Sequence, residues 1–189
     1  MREFPILFST PMVQAILAGN KTQTRRIIRP QPDDSGLWNG TVDETGESKE
    51  FKCRFGKIGT ILWVRETWNY DPHENVTYIY KAQGENQSEK WKPSIFMPKE
   101  ACRIRLEITD IRVERLQNIS EEDAMAEGVG YGFQMNAEYP DYEHIKNGIC
   151  ILTQDTAEMS FASLWDSINF KRASWKSNPW VWKIEFKKL

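Results

Sequence analysis

The sequence predicts a mixed α+β fold, built as a small curved β-barrel with short helices at its rim. Three observations carry that expectation. Segments of strand character outnumber helical ones, in the order β-α-β-β-β-β-α-α-β. The segment Arg103 to Leu116 alternates in two phases, first Ile104, Leu106 and Ile108, then Ile111 and Val113. Such an odd step predicts a bulge or bend near Thr109-Asp110, the device by which a sheet curls. Finally, 189 residues suffice for one well-packed core and are few for two, so a single domain spanning 1–189 is expected.

The elements follow in order. Phe4 to Phe8 is a short apolar run. Thr10-Pro11 reads as a helix N-cap and first helical position, and Val13, Ile16 and Leu17 share one face. Gly19 ends that helix as a C′ glycine. Lys21 to Ile28 favours an extended segment, closed by Pro30 and Pro32. Residues 31–57, rich in Gly, Asp, Ser and Lys, form an excursion from the core. Gly59 to Trp68 is an apolar, β-prone strand, and Val76 to Ala82 is another. Residues 84–100 begin polar and then turn apolar at Trp91 to Pro98, which should pack down. Ser120-Glu121-Glu122-Asp123 opens a short helix with a capping-box arrangement, and Gly128 ends it. Residues 129–155 are an aromatic and polar insertion, with Tyr131, Phe133, Tyr139 and Tyr142, suited to a lid. A helix should run from Thr156 to Ile168, and Trp180 to Phe186 alternates as the last strand. A closed or nearly closed barrel of five to six strands, near 22–28, 59–68, 103–109, 111–116 and 180–187, is the resulting expectation.

The totals bound the function. A net charge of −2 argues against a bulk electrostatic grip on long nucleic acid, while a small ligand or one flipped base fits it. No apolar run approaches the roughly 20 residues that span a bilayer. Glu3 and Pro5 interrupt the place where a secretory signal would begin its apolar stretch, so a cytoplasmic location without membrane partners is expected. Cys53, Cys102 and Cys150 are far apart and odd in number, and His73 and His144 lie in polar loops without a second ligand at metal spacing. Neither a metal nor a cofactor is expected. Eight tryptophans are unusual; most should serve the core, and one or two could line a stacking pocket.

Chemistry concentrates in Gly19-Asn20-Lys21-Thr22-Gln23-Thr24-Arg25-Arg26. On a strand, Thr22, Thr24 and Arg26 point one way and Lys21, Gln23 and Arg25 the other. A lysine beside a hydroxyl can act as a base if burial lowers its pKa, and an arginine can fork onto phosphate or a base edge. A solvated charged face would have the same composition. Glu127, before Gly128, reads by itself as an exposed helix acid. Glu66 sits inside an apolar strand, where a carboxylate is expensive unless paired. It therefore needs a cation, Arg25, Arg26 or Lys21 being the natural choices, as a structural pair or as part of a site.

The run Ile16 to Arg26 resembles the Gly-x-Lys-x-x-x-x-Arg signature of the ASCH domain family. The resemblance continues in order through Gly59 to Val64, Ile119 to Gly128 and Trp182 to Phe186, with extra segments near 31–57, 84–100 and 129–155. It implies a PUA-like fold, a small β-barrel with flanking helices. In length the chain is similar to the ASCH proteins that phages and prophages encode. In its motif it is similar to the bacterial N4-acetylcytidine amidohydrolases, which implies a catalytic Lys21, Thr24 and Glu127, with Arg26 beside them. The chain is nearly twice as long as those enzymes, and its insertions could rebuild the pocket.

Two functions follow from that resemblance. As an enzyme, the domain would hydrolyse an amide on a modified pyrimidine nucleoside through Lys21, Thr24 and Glu127. As a binding module, the cleft would hold a modified nucleoside or single-stranded nucleic acid, RNA rather than DNA. Arg25 and Arg26 would meet phosphate, Glu66 would line the site, and Trp68 or Trp91 would stack on the base. A phage structural or host-interaction protein with a vestigial cleft is the third alternative.

Overall fold

A computed structural model of the chain describes residues 3–32, 52–71, 78–84, 90–130, 139–146, 149–150 and 152–189. The first strand, β1 (Glu3–Leu7), runs into helix α1 (Thr10–Leu17). Ser9 is the N-cap, one residue before the expected Thr10, and Pro11 stands in the first turn, where its missing N–H costs nothing. Strand β2 (Gln23–Ile27) follows, then β3 (Ile61–Arg65). The expected strand 59–68 is divided at Glu66: Trp68–Tyr70 (β4) leaves the main sheet to pair with Tyr78–Tyr80 (β5). Strand β6 (Arg105–Arg115) precedes helix α2 (Glu121–Ala126), the short hairpin β7 (Ile145–Lys146) and β8 (Ile149–Cys150), helix α3 (Ala157–Asn169) and the last strand β9 (Trp180–Lys188).

Five strands form one sheet in the order β1-β3-β6-β9-β2. β1 and β3 are parallel, because α1 and β2 intervene; the other pairings are antiparallel. The two phases of β6 are one strand carrying a register shift between Ile108 and Asp110, as the alternation predicts. Central position explains β9: Val181, Trp182, Lys183 and Ile184 are all buried, so both faces are covered. Ile6, Val13, Ile16, Leu62, Leu106, Ile108 and Ile184 make the main core, each stabilising the fold by about 1.5–3 kcal/mol through burial. A second, smaller core holds Trp68, Tyr80, Met97 and Ala101. It draws in part of the 84–100 insertion, although Ile95 and Phe96 there are exposed.

Of the expected closed or nearly closed barrel, the described residues show a mixed fold with a five-stranded sheet and no closed barrel. Among the described residues the ladder stays open, with β1 and β2 as its two edges. The edges are nevertheless linked by a side chain: Arg26 of β2 donates from Nη2 to the carbonyl of Leu7 in β1 at 2.8 Å. A guanidinium thus spans a seam that a backbone ladder would have to close. No helix among the described residues is long and apolar enough to cross a membrane.

Candidate functional site

Two glycines bring distant segments together. Gly19, at φ +83°, turns the chain out of α1, and the amides of Asn20 and Lys21 both bond the carbonyl of Ala15. Gly128, at φ +84°, ends α2 just past Glu127. A Cβ on Gly128 would stand 2.9 Å from the Ala15 Cβ and 3.0 Å from the Lys21 Cβ, so only glycine permits this approach. Lys21 and Glu127 then form an isolated antiparallel bridge, and Thr22 donates to the Ala126 carbonyl.

The side chains complete the junction. Lys21 Nζ donates to Glu127 Oε2 and to the Glu127 carbonyl, each at 2.7 Å. Arg25 Nη1 donates to the other oxygen, Oε1, at 3.2 Å. Lys21 and Glu127 are 4% and 3% exposed, so Glu127 is a buried acid with two cations and not the exposed helix acid of the alternative reading. Burial pulls the Lys21 amine below the usual lysine range; Glu127 opposes the shift, and Arg26 and Arg25 add to it.

Arg25 is held inside the protein. Its Nε donates to Glu114 at 2.8 Å and its Nη2 to Asp123 at 2.6 Å. Burial disfavours the guanidinium, but Glu127, Glu114 and Asp123 outweigh it and hold Arg25 above the usual arginine range. Asp123 also accepts from Lys183 Nζ at 2.7 and 2.9 Å. Burial raises the Asp123 carboxyl, and the bonds from Lys183 and Arg25 prevail and lower it. With its fork engaged by three carboxylates, Arg25 braces the site from behind.

A cleft of about 740 Å³ opens at the seam between the sheet edges, lined by Leu7 and Phe8 on one side and Thr24, Arg26 and Ile27 on the other. Lys21, Arg25 and Glu127 line it too. Thr24 is buried. The Phe8 ring lies beneath two cations, 5.1 Å from the Arg26 guanidinium carbon and 5.6 Å from Lys21 Nζ. Burial, against the pull of Glu127 and with the push of Arg54, lowers Arg26 to about 10. Phe161 and Trp165 of α3 and Trp182 of β9 supply aromatic wall.

The structure therefore brings Lys21, Thr24, Arg25, Arg26 and Glu127 to one cleft. It does not bring Glu66, Trp68 or Trp91 there. Glu66 is 1% exposed, as its apolar strand demands, but its partner is Arg103, which meets both carboxylate oxygens at 2.8 and 2.9 Å. Arg103, just before β6, lies in the chain that antiparallel pairing brings back beside β3. Trp68 is packed in the second core, and Trp91 is not among the cleft's lining residues. Trp165 and Trp182 take the expected place of a ring in the cleft. Sequence reading also missed Arg29, Lys52, Arg54 and Arg172, which line it; the cations after residue 51, at the end of an insertion, were the signal. The described part of the 129–155 insertion does not line the cleft. It braces the serine side of α3, where Ser160 donates to the Pro140 carbonyl and Ser163 accepts from the Tyr142 amide. Tyr131 and Phe133, two of the lid aromatics, lie outside the described residues, as does His73. Among the described residues no group of three His, Cys, Asp or Glu side chains could hold a metal ion.

The chain is similar to the ASCH domain from Lactobacillus crispatus JV V101, known from a crystal structure. The two share 11% sequence identity, 99% of this chain and 79% of that one are covered, and the TM-score is 0.44. No family model and no curated protein matches the chain.

Proposed function

We propose that the cleft hydrolyses an amide on an N-acylated pyrimidine nucleoside, the activity that resemblance to the amidohydrolases implies. The observation that supports it is the meeting of Lys21, Thr24 and Glu127 at one cleft, with Trp165 and Trp182 in its wall. In this reading Thr24 Oγ1 attacks the acyl carbon, and its proton passes to Lys21 Nζ, which acts as the free amine. Glu127 orients Lys21, and Arg26 faces the oxyanion. The amide C–N bond then breaks, and the exocyclic nitrogen leaves with the proton held by Lys21. Water hydrolyses the Thr24 ester, releasing the carboxylic acid and restoring the hydroxyl.

A second reading, a binding module for a modified nucleoside or an RNA strand, is favoured by the arginines Arg26 and Arg54 in the cleft's lining. Thr24→Ala separates the two. Wild type should release acetate from N4-acetylcytidine, while Thr24→Ala should lose that release and still bind the nucleoside. Binding without acetate release in wild type, unchanged in Thr24→Ala, would establish the binding module in place of the hydrolase.

A further inference from the structure

Resting on that hydrolase reading, we propose that Arg25 is a positioning residue of the reaction. It acts through Glu127, fixing that carboxylate against Lys21 and sharing its charge, and it does not touch the ligand. The expected contact of Arg25 with phosphate is thereby replaced. Its side chain is 0% exposed, and Nε, Nη1 and Nη2 donate to Glu114, Glu127 and Asp123.

Stability alone does not account for this arrangement. Arg25 and Lys183 stand directly opposite each other on β2 and β9, and both are buried. Like charges so placed repel, and a buried ionic cluster stabilises a fold no better than well-packed apolar side chains would. Asp123 makes the pair tolerable by accepting from both. The consequence of the cluster lies at its other end. Glu127 gives Oε1 to Arg25 and keeps Oε2 and its carbonyl for Lys21. A neutral lysine amine has two N–H groups and one lone pair. Both N–H groups find acceptors on Glu127, so the lone pair is left to take the Thr24 proton. That division holds only while Glu127 stays still, and Arg25 holds its other oxygen. The charges act in the same direction. Glu127 of α2 favours the protonated Lys21, while Arg26 and Arg25 of β2 disfavour it. Glu114 of β6 and Asp123 of α2 temper Arg25, and Lys183 of β9, itself beside Glu185, tempers Asp123. From α3 the Phe161 ring faces the Arg25 guanidinium carbon at 5.9 Å.

The test follows Lys21 and the reaction together across pH, in the intact wild type, Arg25→Gln and Glu114→Gln. The carbon NMR shift of the Lys21 side chain, assigned by its absence from Lys21→Ala, reads protonation. Acetate release from N4-acetylcytidine reads turnover. Arg25→Gln should raise the proton affinity of Lys21 about tenfold, move the rise of kcat/KM to higher pH by the same factor, and lower kcat with KM little changed. Glu114→Gln takes a carboxylate from the same guanidinium and should lower the proton affinity of Lys21. Opposite signs from two partners in one ion pair are not what a merely structural brace would give. If circular dichroism shows Arg25→Gln unfolded, the sign in Glu114→Gln decides. Unchanged proton affinity, or a raised KM with the pH midpoint fixed, would overturn the positioning role and leave the hydrolase reading standing. The expected changes at Lys21 without acetate release from wild type would overturn the hydrolase and leave the coupling of Arg25 to Lys21 standing.

Discussion

Lys21 and Glu127, 106 residues apart, are joined twice: the ammonium donates to both the carboxylate and the backbone carbonyl of the same glutamate. The pair ties the end of α2 to the turn after α1, and it forms the floor of the cleft. Lys21→Ala therefore removes more than a reactive amine. Breaking a buried pair costs about 3–5 kcal/mol, and the lower end is expected because Arg25 still holds Glu127. Urea unfolding of the variant measures this; an unchanged midpoint would show that the pair contributes nothing.

The same burial sets a pH dependence. Lys21 loses its proton below the ordinary lysine value of 10.5, so the free amine needed to activate Thr24 forms as pH rises. Amide hydrolysis should rise with pH, with a midpoint below that value. The sign for stability is the same. A lysine whose folded pKa lies below its unfolded one stabilises the folded state increasingly as pH rises between the two. A kcat/KM profile that falls across about pH 7–10 would exclude Lys21 as the base.

Gly128→Ala should displace the site without touching a reactive group. The substitution puts a side chain at φ +84° and presses a Cβ against Ala15 and Lys21. A cost of about 1–3 kcal/mol is expected from the backbone alone, with further loss from the clash. Thermal melting reads the stability, and acetate release reads the misplacement of Glu127. Wild-type values for both would show that α2 can shift freely.

Glu66 and Arg103 form a forked pair at the break between β3 and β4. Arg103→Met should cost about 3–5 kcal/mol by stranding a buried carboxylate, and the double variant Glu66→Met/Arg103→Met should recover most of it. If the double variant is as unstable as the single one, packing and not the stranded charge is responsible.

Asp123 governs the acid side. Its carboxyl is lowered by Lys183 and Arg25 against the effect of burial, so its contribution is present above the ordinary aspartate value of 3.8 and is lost as pH falls below it. Asp123→Asn should flatten the decline of stability in that range. A decline of undiminished steepness would place the acid sensitivity in another carboxylate.

What the sequence by itself determined is local in physical origin. The odd step between Ile108 and Ile111 predicts the bulge of β6, because side-chain alternation is a property of one strand. Gly19, Lys21, Thr24 and Arg26 are marked as site residues by the resemblance of their run to a known signature, since by composition alone a solvated charged face would look the same. Only tertiary structure decided the partners. Arg103 answers Glu66 because the β3–β6 pairing returns the chain there. Trp165 and Trp182 line the cleft in place of Trp68 and Trp91, because β4 leaves the sheet to build a second core. Arg26 of β2 meets the Leu7 carbonyl of β1 because the fold brings the two edge strands together. Partner choice depends on register and on which faces are already covered, and those are set by contacts between segments far apart in the chain, which no local pattern encodes.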